Sequence, residues 1–418
     1  MDQDSESEVV AGLTAPATLR VGDLFDVEVG AIAHGGHCVA HALGRTLLVR
    51  HALPGERVRV RITAVASKVS RADAVEILRG SPRRVPAPCP LARPAGCGGC
   101  DFQHADLAYQ RQLKAQVIAD AFRRHARVDG LSVEVEPLPG DDLTSGQHWR
   151  TRMRWQVGPG GILGLHAHRS TDVIPVAHCL IAAPAIAAPP QIPTLDQSSV
   201  VRTAVGSDGK VAVLLDGGSR DRRSGDAGGA SRRCVQQVKD RRWRVDAGTF
   251  WQAHPAAAQT LVEAVLQCAQ PQTGQRWWDL FAGAGLFSAF LGQLVGPEGV
   301  VAAVEGNAQA VRDARRSLHD LPQVRLHHQD VLQWLGSATE SVDGVVLDPP
   351  RTGMGAQGMA LLTTARPPVI VYVACDPVAL ARDVALAAEA GYRLKELRAF
   401  DAFPMTHHVE VVATLIPG

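Results

Sequence analysis

The chain has 418 residues, 46% hydrophobic and 20% charged, a length and composition that support two or three domains with buried cores. No apolar run approaches the roughly 20 residues of a membrane span, and the acidic, polar start MDQDSESEVV is unlike a signal peptide. The expectation is a cytoplasmic protein with no membrane partner, acting as a monomer.

The net charge of +1 conceals an asymmetry. Residues 1–245 hold 32 Lys and Arg against 25 Asp and Glu, and the remainder hold 11 against 17. A basic front part suits a polyanionic partner, although an uneven surface would give the same count. Residues 1–13, with Asp2, Asp4, Glu6 and Glu8, read as a disordered acidic tail.

Residues 14–80 read as a small β-barrel. In Glu56–Ile62, Val58, Val60 and Ile62 alternate with Arg57, Arg59 and Arg61, so one face suits a core and the other is cationic. The arginines are candidates to hold phosphates, or form an ordinary solvated strand face. Leu24–Val29, Thr46–Val49 and Ala74–Leu78 are further strand candidates, separated by glycine turns such as His34–His37.

Residues 81–245 form a less regular, mixed α+β central domain. Pro82, Pro86, Pro88 and Pro90 mark a loop, Leu107–Arg127 a helix, and Arg150–Trp155 a strand with arginines on one face. Ala182–Pro193 reads as a surface connector. Val200–Val205 and Val211–Leu215 flank Ser207-Asp208-Gly209 as a hairpin, and Asp216–Arg233 reads as a mobile loop. Cys89, Cys97 and Cys100 crowd together, with Cys179 further on; in a chain without a secretion signal such thiols favour metal, as zinc or an iron–sulfur cluster, over disulfides.

From residue 246 to 418 short apolar strands alternate with helical stretches, the pattern of an α/β, doubly wound, Rossmann-like sheet. The strands are Arg276–Leu280, Gly299–Val304, Val324–His328, Gly344–Leu347, Val369–Val373 and Val409–Leu415. Gly283 and Gly285 make a Gly-x-Gly turn at the carboxyl end of the first, where a ligand can approach the backbone. Glu305, after the second, can accept hydrogen bonds from both hydroxyls of an adenosine ribose, or serve as a helix N-terminal acid. Both features fit a nicotinamide enzyme as well as a methyltransferase. Asp348-Pro349-Pro350-Arg351 favours the methyltransferase, since an acid followed by two prolines is a base-facing turn of that architecture. Cys375 lies just past the next strand, on the rim where catalytic residues gather rather than in the packed interior. Its neighbour Asp376 opposes thiolate formation, because like charge raises a thiol pKa. Glu410 opens the last strand, where half-burial would raise a carboxylate's pKa and make a workable base, although taken alone it reads better as an ordinary edge-strand acid.

Taken together, Phe250–Gln252 (FWQ), Asp279–Phe287 (DLFAGAGLF), Glu305, Asp348–Arg351 (DPPR), Tyr372–Pro377 (YVACDP) and Asp401–Glu410 (DAFPMTHHVE) resemble the RNA uracil-5-methyltransferase family, with residues 14–80 as its TRAM domain. The resemblance implies transfer of a methyl group from S-adenosylmethionine to carbon 5 of a uridine in transfer or ribosomal RNA. It implies that Cys375 adds to carbon 6, that Glu410 removes the carbon 5 proton, and that Gln252, Phe281, Gly283, Gly285, Glu305 and Asp348 line the cofactor site. It also implies a 4Fe-4S cluster on Cys89, Cys97, Cys100 and Cys179. The chain departs from the family pattern at Ala282, Leu286, His254 and Asp376. An RNA cytosine-5 methyltransferase and a methyltransferase-like RNA-binding protein without activity are the alternatives.

Overall fold

The computed structural model describes residues 18–192, 195, 199–216 and 231–418. The acidic tail and most of the loop expected at Asp216–Arg233 lie outside these residues. The described chain divides into two compact units, residues up to Gly96 with Cys100–Asp106, and Cys97–Gly99 with Leu107–Gly418.

The first unit is a six-stranded sheet of β1 (Leu24–Glu28), β2 (Ile32–Ala33), β3 (His37–Ala42), β4 (Arg45–Arg50), β5 (Arg57–Ala64) and β6 (Val69–Arg79), in the order β1-β5-β6-β4-β3-β2. It rolls up because Gly30 donates its N–H to the Val39 carbonyl at 2.7 Å, bringing the end of β1 against β3. Val58, Val60 and Ile62 are buried as the alternation requires. Part of the arginine face is paired within the sheet, however. The β1–β5 register sets Asp26 opposite Arg59, whose guanidinium bonds Asp26 at 2.9 Å and Glu76 at 2.5 Å, and Arg57 lies 3.8 Å from Asp26. Cross-strand acids therefore offset much of that charge.

The second unit begins with α1 (Leu107–Ala121), which ends in a π-turn at Phe122–Ala126 capped by left-handed Arg127. Three groups of strands precede the terminal α/β region: β7 (Val135–Pro137); the sheet of β8 (Arg152–Val157), β9 (Leu163–His166), β10 (Val173–Pro175), β11 (Val200–Val205) and β12 (Val211–Asp216); and the hairpin of β13 (Arg233–Val238) and β14 (Arg241–Asp246). The expected hairpin forms, with Val205 paired to Val211. The arginine strand is β8, but Arg152 is turned to structure: its guanidinium donates to the carbonyls of Asp246, Ala247 and Thr249.

The terminal region alternates α2 (Ala257–Ala269), β15 (Arg276–Leu280), α3 (Leu286–Val295), β16 (Val300–Glu305), α4 (Ala308–Ser317), β17 (Val324–His328), α5 (Val331–Ser337), β18 (Gly344–Leu347), α6 (Gly355–Thr364), β19 (Ile370–Ala374), α7 (Pro377–Glu389), β20 (Tyr392–Asp401) and β21 (Glu410–Pro417). The sheet order is β17-β16-β15-β18-β19-β21-β20-β7. Parallel pairing runs from β17 to β19, β21 is antiparallel, and β7 joins the edge alongside β20. Strands β18 and β19 are buried throughout because helices cover both faces. Successive side chains feed opposite cores: Val346, Val371 and Val373 pack with α2 and α3, while Val345, Leu347, Ile370 and Tyr372 pack with α7 and α1. Each fully buried aliphatic side chain contributes about 1.5–3 kcal/mol. Among the described residues no helix is long and apolar enough to cross a membrane.

Candidate active site

In this sheet the carboxyl ends of β15, β16, β18 and β19 share one rim, because their parallel registers run Leu280 to Leu347 and Leu347 to Tyr372. The loops that leave that rim carry Phe281–Gly285, Glu305, Asp348–Arg351 and Cys375. The order reversal beside β15 makes it the place where a ligand settles in such a sheet.

The Gly-x-Gly turn is held by its acid. Glu305 accepts the Gly283 N–H at 2.8 Å with one oxygen and the Asn307 N–H at 2.6 Å with the other. Phe281, Gly283 and Gly285 all have positive φ, at 60°, 57° and 82°. Gly285 has no alternative, since a Cβ there would stand 2.6 Å from the Leu318 side chain. A Cβ on Gly283 would meet no atom within 4 Å, so the turn is open on the side a ligand would approach. Phe281 is a non-glycine residue in a left-handed conformation at the same point, a strain that collects at ligand sites. Gln252 is buried, after exposed Phe250 and buried Trp251.

The second half of the site is a buried group of carboxyls around one thiol. The antiparallel β19–β21 ladder ends with Ala374 paired to Val411, so Cys375 and Glu410 are the residues next beyond that pair. Burial, then the Glu410 and Asp348 carboxyls, push the Cys375 thiol up to about 12, with Asp376 acting in the same direction and Arg351 opposing. Glu410 is pushed well above the ordinary range by burial and by Asp348, again against Arg351. Asp348 is raised to about 7 by burial and by Asp279, and Asp279 to about 7 by burial, despite the hydrogen bond from Ser288. Cys375 itself is half-buried, on the rim and not sealed in the core.

Several supports of this group carry no sequence motif. Asp383 of α7 accepts the Tyr372 hydroxyl at 2.6 Å and the N–H groups of Met354 and Gly355 at 2.6 and 3.1 Å, fixing the turn after Arg351 from behind. Arg351 meets the His408 ring at 3.2 Å, and His408 packs on His407 and Phe403. Lys114 and Gln110, on α1, reach the loop before Glu410. An acid nine residues from a strand end, or a lysine almost 300 residues from its partner, leaves no local pattern to read.

The departures from the family pattern have local explanations. Asp376 N-caps α7, accepting the N–H groups of Val378 and Ala379, which either Asp or Asn can do. His254 takes the Ala256 N–H on Nδ1, so Nε2 bears the proton and donates to Asp141 at 2.7 Å; it anchors the entry to α2. Leu286 is buried at the start of α3 and adds to the core. Ala282 is buried and donates its N–H to the Val304 carbonyl.

The expected 4Fe-4S cluster finds no support. Among the described residues no group of three or more His, Cys, Asp or Glu side chains could hold a metal ion. Backbone bonds, from Cys179 N–H to the Ala187 carbonyl and from the Cys89 N–H to Gln103, order their loops instead.

Comparison with known proteins agrees with this geometry. Residues 232–416 match the tRNA (Uracil-5-)-methyltransferase family, and residues 19–75 match the TRAM domain. An uncharacterised RNA methyltransferase of Streptomyces coelicolor is 41% identical across 100% of this chain and 97% of its own length. The 23S rRNA (uracil(1939)-C(5))-methyltransferase RlmD of Shewanella piezotolerans is 30% identical across 94% of this chain and 96% of its own. The crystal structure of Pyrococcus abyssi tRNA (uracil-54, C5)-methyltransferase with S-adenosyl-L-homocysteine shares the fold, with a TM-score of 0.68 at 21% identity over 93% of this chain and 99% of that one. The fold, the family match and the full-length relatives converge: the chain belongs to the TRAM-containing RNA uracil-5-methyltransferases and is an S-adenosylmethionine-dependent enzyme of that family.

Proposed function

We propose that this enzyme methylates carbon 5 of a uridine in ribosomal RNA through a transient bond between the Cys375 sulfur and carbon 6. The observation that carries the reading is the β19–β21 ladder ending at Ala374 and Val411, which puts Cys375 and Glu410 next beyond one pair at the rim shared with Asp348. Carbon 5 of uracil is a poor nucleophile. Addition of the Cys375 thiolate to carbon 6 moves electron density to carbon 5 as an enolate. Bound S-adenosylmethionine supplies the electrophilic methyl group. Glu410 then takes the proton from carbon 5, and the electron pair left behind expels the Cys375 thiolate. The base must be unstacked for the sulfur to reach it.

The residues fit a cationic nucleoside donor. Glu305 offers a carboxylate beside the open Gly283 turn, and Asp348 sits where a positive charge would be welcome. Gln252 and Phe281 complete the proposed cofactor wall. A cation near Asp348 favours its ionised form and so lowers its pKa. Binding of S-adenosylmethionine is therefore expected to release protons, and to tighten as pH rises towards the value of about 7 that burial gives Asp348, by at most about tenfold per pH unit. Calorimetry between pH 6 and 8 in two buffers of different ionisation enthalpy checks this; net proton uptake would contradict it.

Ribosomal RNA is favoured over transfer RNA because the relative that acts on 23S rRNA is 30% identical over nearly the whole chain, whereas the tRNA (uracil-54, C5)-methyltransferase is 21% identical. Nucleoside mapping of RNA from a strain lacking the gene is expected to show one 5-methyluridine missing from ribosomal RNA. Intact ribosomal 5-methyluridine with a loss in transfer RNA would overturn that target, and a lost 5-methylcytidine would overturn the base. No step draws on a 4Fe-4S cluster at Cys89, Cys97, Cys100 and Cys179, since methyl transfer moves no electrons. Iron and acid-labile sulfide in anaerobically purified protein decide whether one forms.

A further inference from the structure

The loop between β20 and β21 carries Glu410 to its place, and one helix remote in sequence grips it at three points. Lys114, with its side chain 0% exposed, pairs at 2.5 Å with Asp401, 1% exposed, the last residue of β20. The same ammonium donates to the Phe403 carbonyl at 3.0 Å. One turn earlier on α1, buried Gln110 accepts the Met405 N–H at 2.8 Å and donates to the Met405 sulfur at 3.3 Å. Met405 is held there with φ at 68°. Thr406 closes the loop on itself, its hydroxyl donating to the Phe403 carbonyl, and the next two residues are His407 and His408.

A buried ion pair is a poor way to gain stability, because desolvation of both charges cancels most of their attraction, and an apolar pair of similar shape commonly does as well. What such a pair provides is a fixed geometry. Lys114 and Gln110 both act on backbone atoms of the loop, and the hydrogen bonds allow it little latitude. Downstream lie His408, which meets Arg351, and Glu410, which with Cys375 comes next beyond the last pair of the β19–β21 ladder.

We propose that Lys114 and Gln110 are positioning residues that lock the β20–β21 loop so that Glu410 reaches the carbon 5 proton. The proposal rests on the reading of Glu410 as the base. It places the dependence in the second half of the reaction: sulfur addition and methyl transfer need Cys375 and the cofactor turn, whereas proton removal needs the loop.

The test compares the wild type with Lys114→Met, Lys114→Met/Asp401→Leu and Glu410→Gln on RNA tritiated at uridine carbon 5, with covalent adduct read on a denaturing gel. The double variant removes both buried charges together and guards against a single variant that fails to fold. Both clamp variants are expected to bind S-adenosylmethionine within about twofold of wild type, to release tritium roughly 100-fold more slowly, as a displacement of about 1 Å would cause, and to accumulate adduct. Tritium release within about twofold of wild type in a folded clamp variant overturns the clamp while leaving the adduct of Glu410→Gln, and with it the role of Glu410, intact. Slow release without adduct in the clamp variants, while Glu410→Gln does accumulate it, also overturns the clamp, because the loop would then act before proton removal. Absence of adduct in Glu410→Gln overturns the reading beneath it.

Discussion

Cys375→Ala is expected to lower turnover by roughly five orders of magnitude or more, the scale on which loss of a covalent nucleophile is felt, while leaving S-adenosylmethionine binding within about twofold. The expectation follows from where the residue sits. Its backbone is at the end of β19, after five fully buried residues, and its side chain is half-buried at the rim. Alanine fits that backbone and removes only the sulfur, so neither the sheet nor the cofactor turn should move. The electrostatics sharpen the point. Burial and then Glu410 and Asp348 push the thiol up to about 12, with Arg351 opposing, so the proposed sulfur addition is expected to be helped by a positive charge placed nearby, as a bound sulfonium donor would supply. Calorimetry and single-turnover methyl transfer on one RNA check both halves. Appreciable turnover in the variant would remove the covalent step from the mechanism.

Glu410→Gln is expected to convert the enzyme into a trap. The amide keeps the size and much of the hydrogen bonding of the carboxyl, and Glu410 is 3% exposed, so the fold should tolerate it. Gln cannot accept the carbon 5 proton. Methylation should therefore proceed once and stop, with RNA linked through Cys375 and multiple turnover reduced by roughly 100- to 10,000-fold, the range for general-base removal. Burial first and the Asp348 carboxyl second raise Glu410 above the ordinary carboxylate range, the direction that suits the base role proposed for it. A denaturing gel of enzyme with labelled RNA separates the outcomes. Normal product release with no retarded band would assign proton removal to another group.

Much of this was legible in the chain. The glycine turn, Glu305, Asp348, Cys375 and Glu410 each sit at a strand end, and apolar strands between helical stretches have one architecture that brings such ends together. The alternation in Arg57–Ile62 placed its valines inward. What local pattern could not show was the work of long-range pairing. The cationic face of β5 met Asp26 of β1 and Glu76 of β6, and only the register decides that. The strand Arg150–Trp155 was legible as one with arginines on one face, but not that Arg152 serves three carbonyls. Strand β20 is long but its Arg, Lys and Glu residues blur the apolar signal, and β7 is too short to announce itself. Lys114 and Gln110 lie in a helix whose buried polar residues defeat an amphipathic reading, and Asp383 looks like any helical acid until Tyr372 and the Met354 turn close on it. For the cysteines, spacing suggested a metal site, while among the described residues no group of three or more His, Cys, Asp or Glu side chains that could hold a metal ion is assembled.

The chemical core of the account is a carbon–sulfur bond, and it can be sought without reference to rate. RNA carrying 5-fluorouridine at the target should stall after methyl transfer, because fluorine cannot leave carbon 5 as a proton does. Nuclease and protease digestion followed by mass spectrometry is expected to yield one nucleotide-bearing peptide, with the added mass of a methylated fluorouridine on Cys375. A peptide modified at a different cysteine, or an unmodified Cys375 peptide from protein that has methylated its RNA, would contradict it.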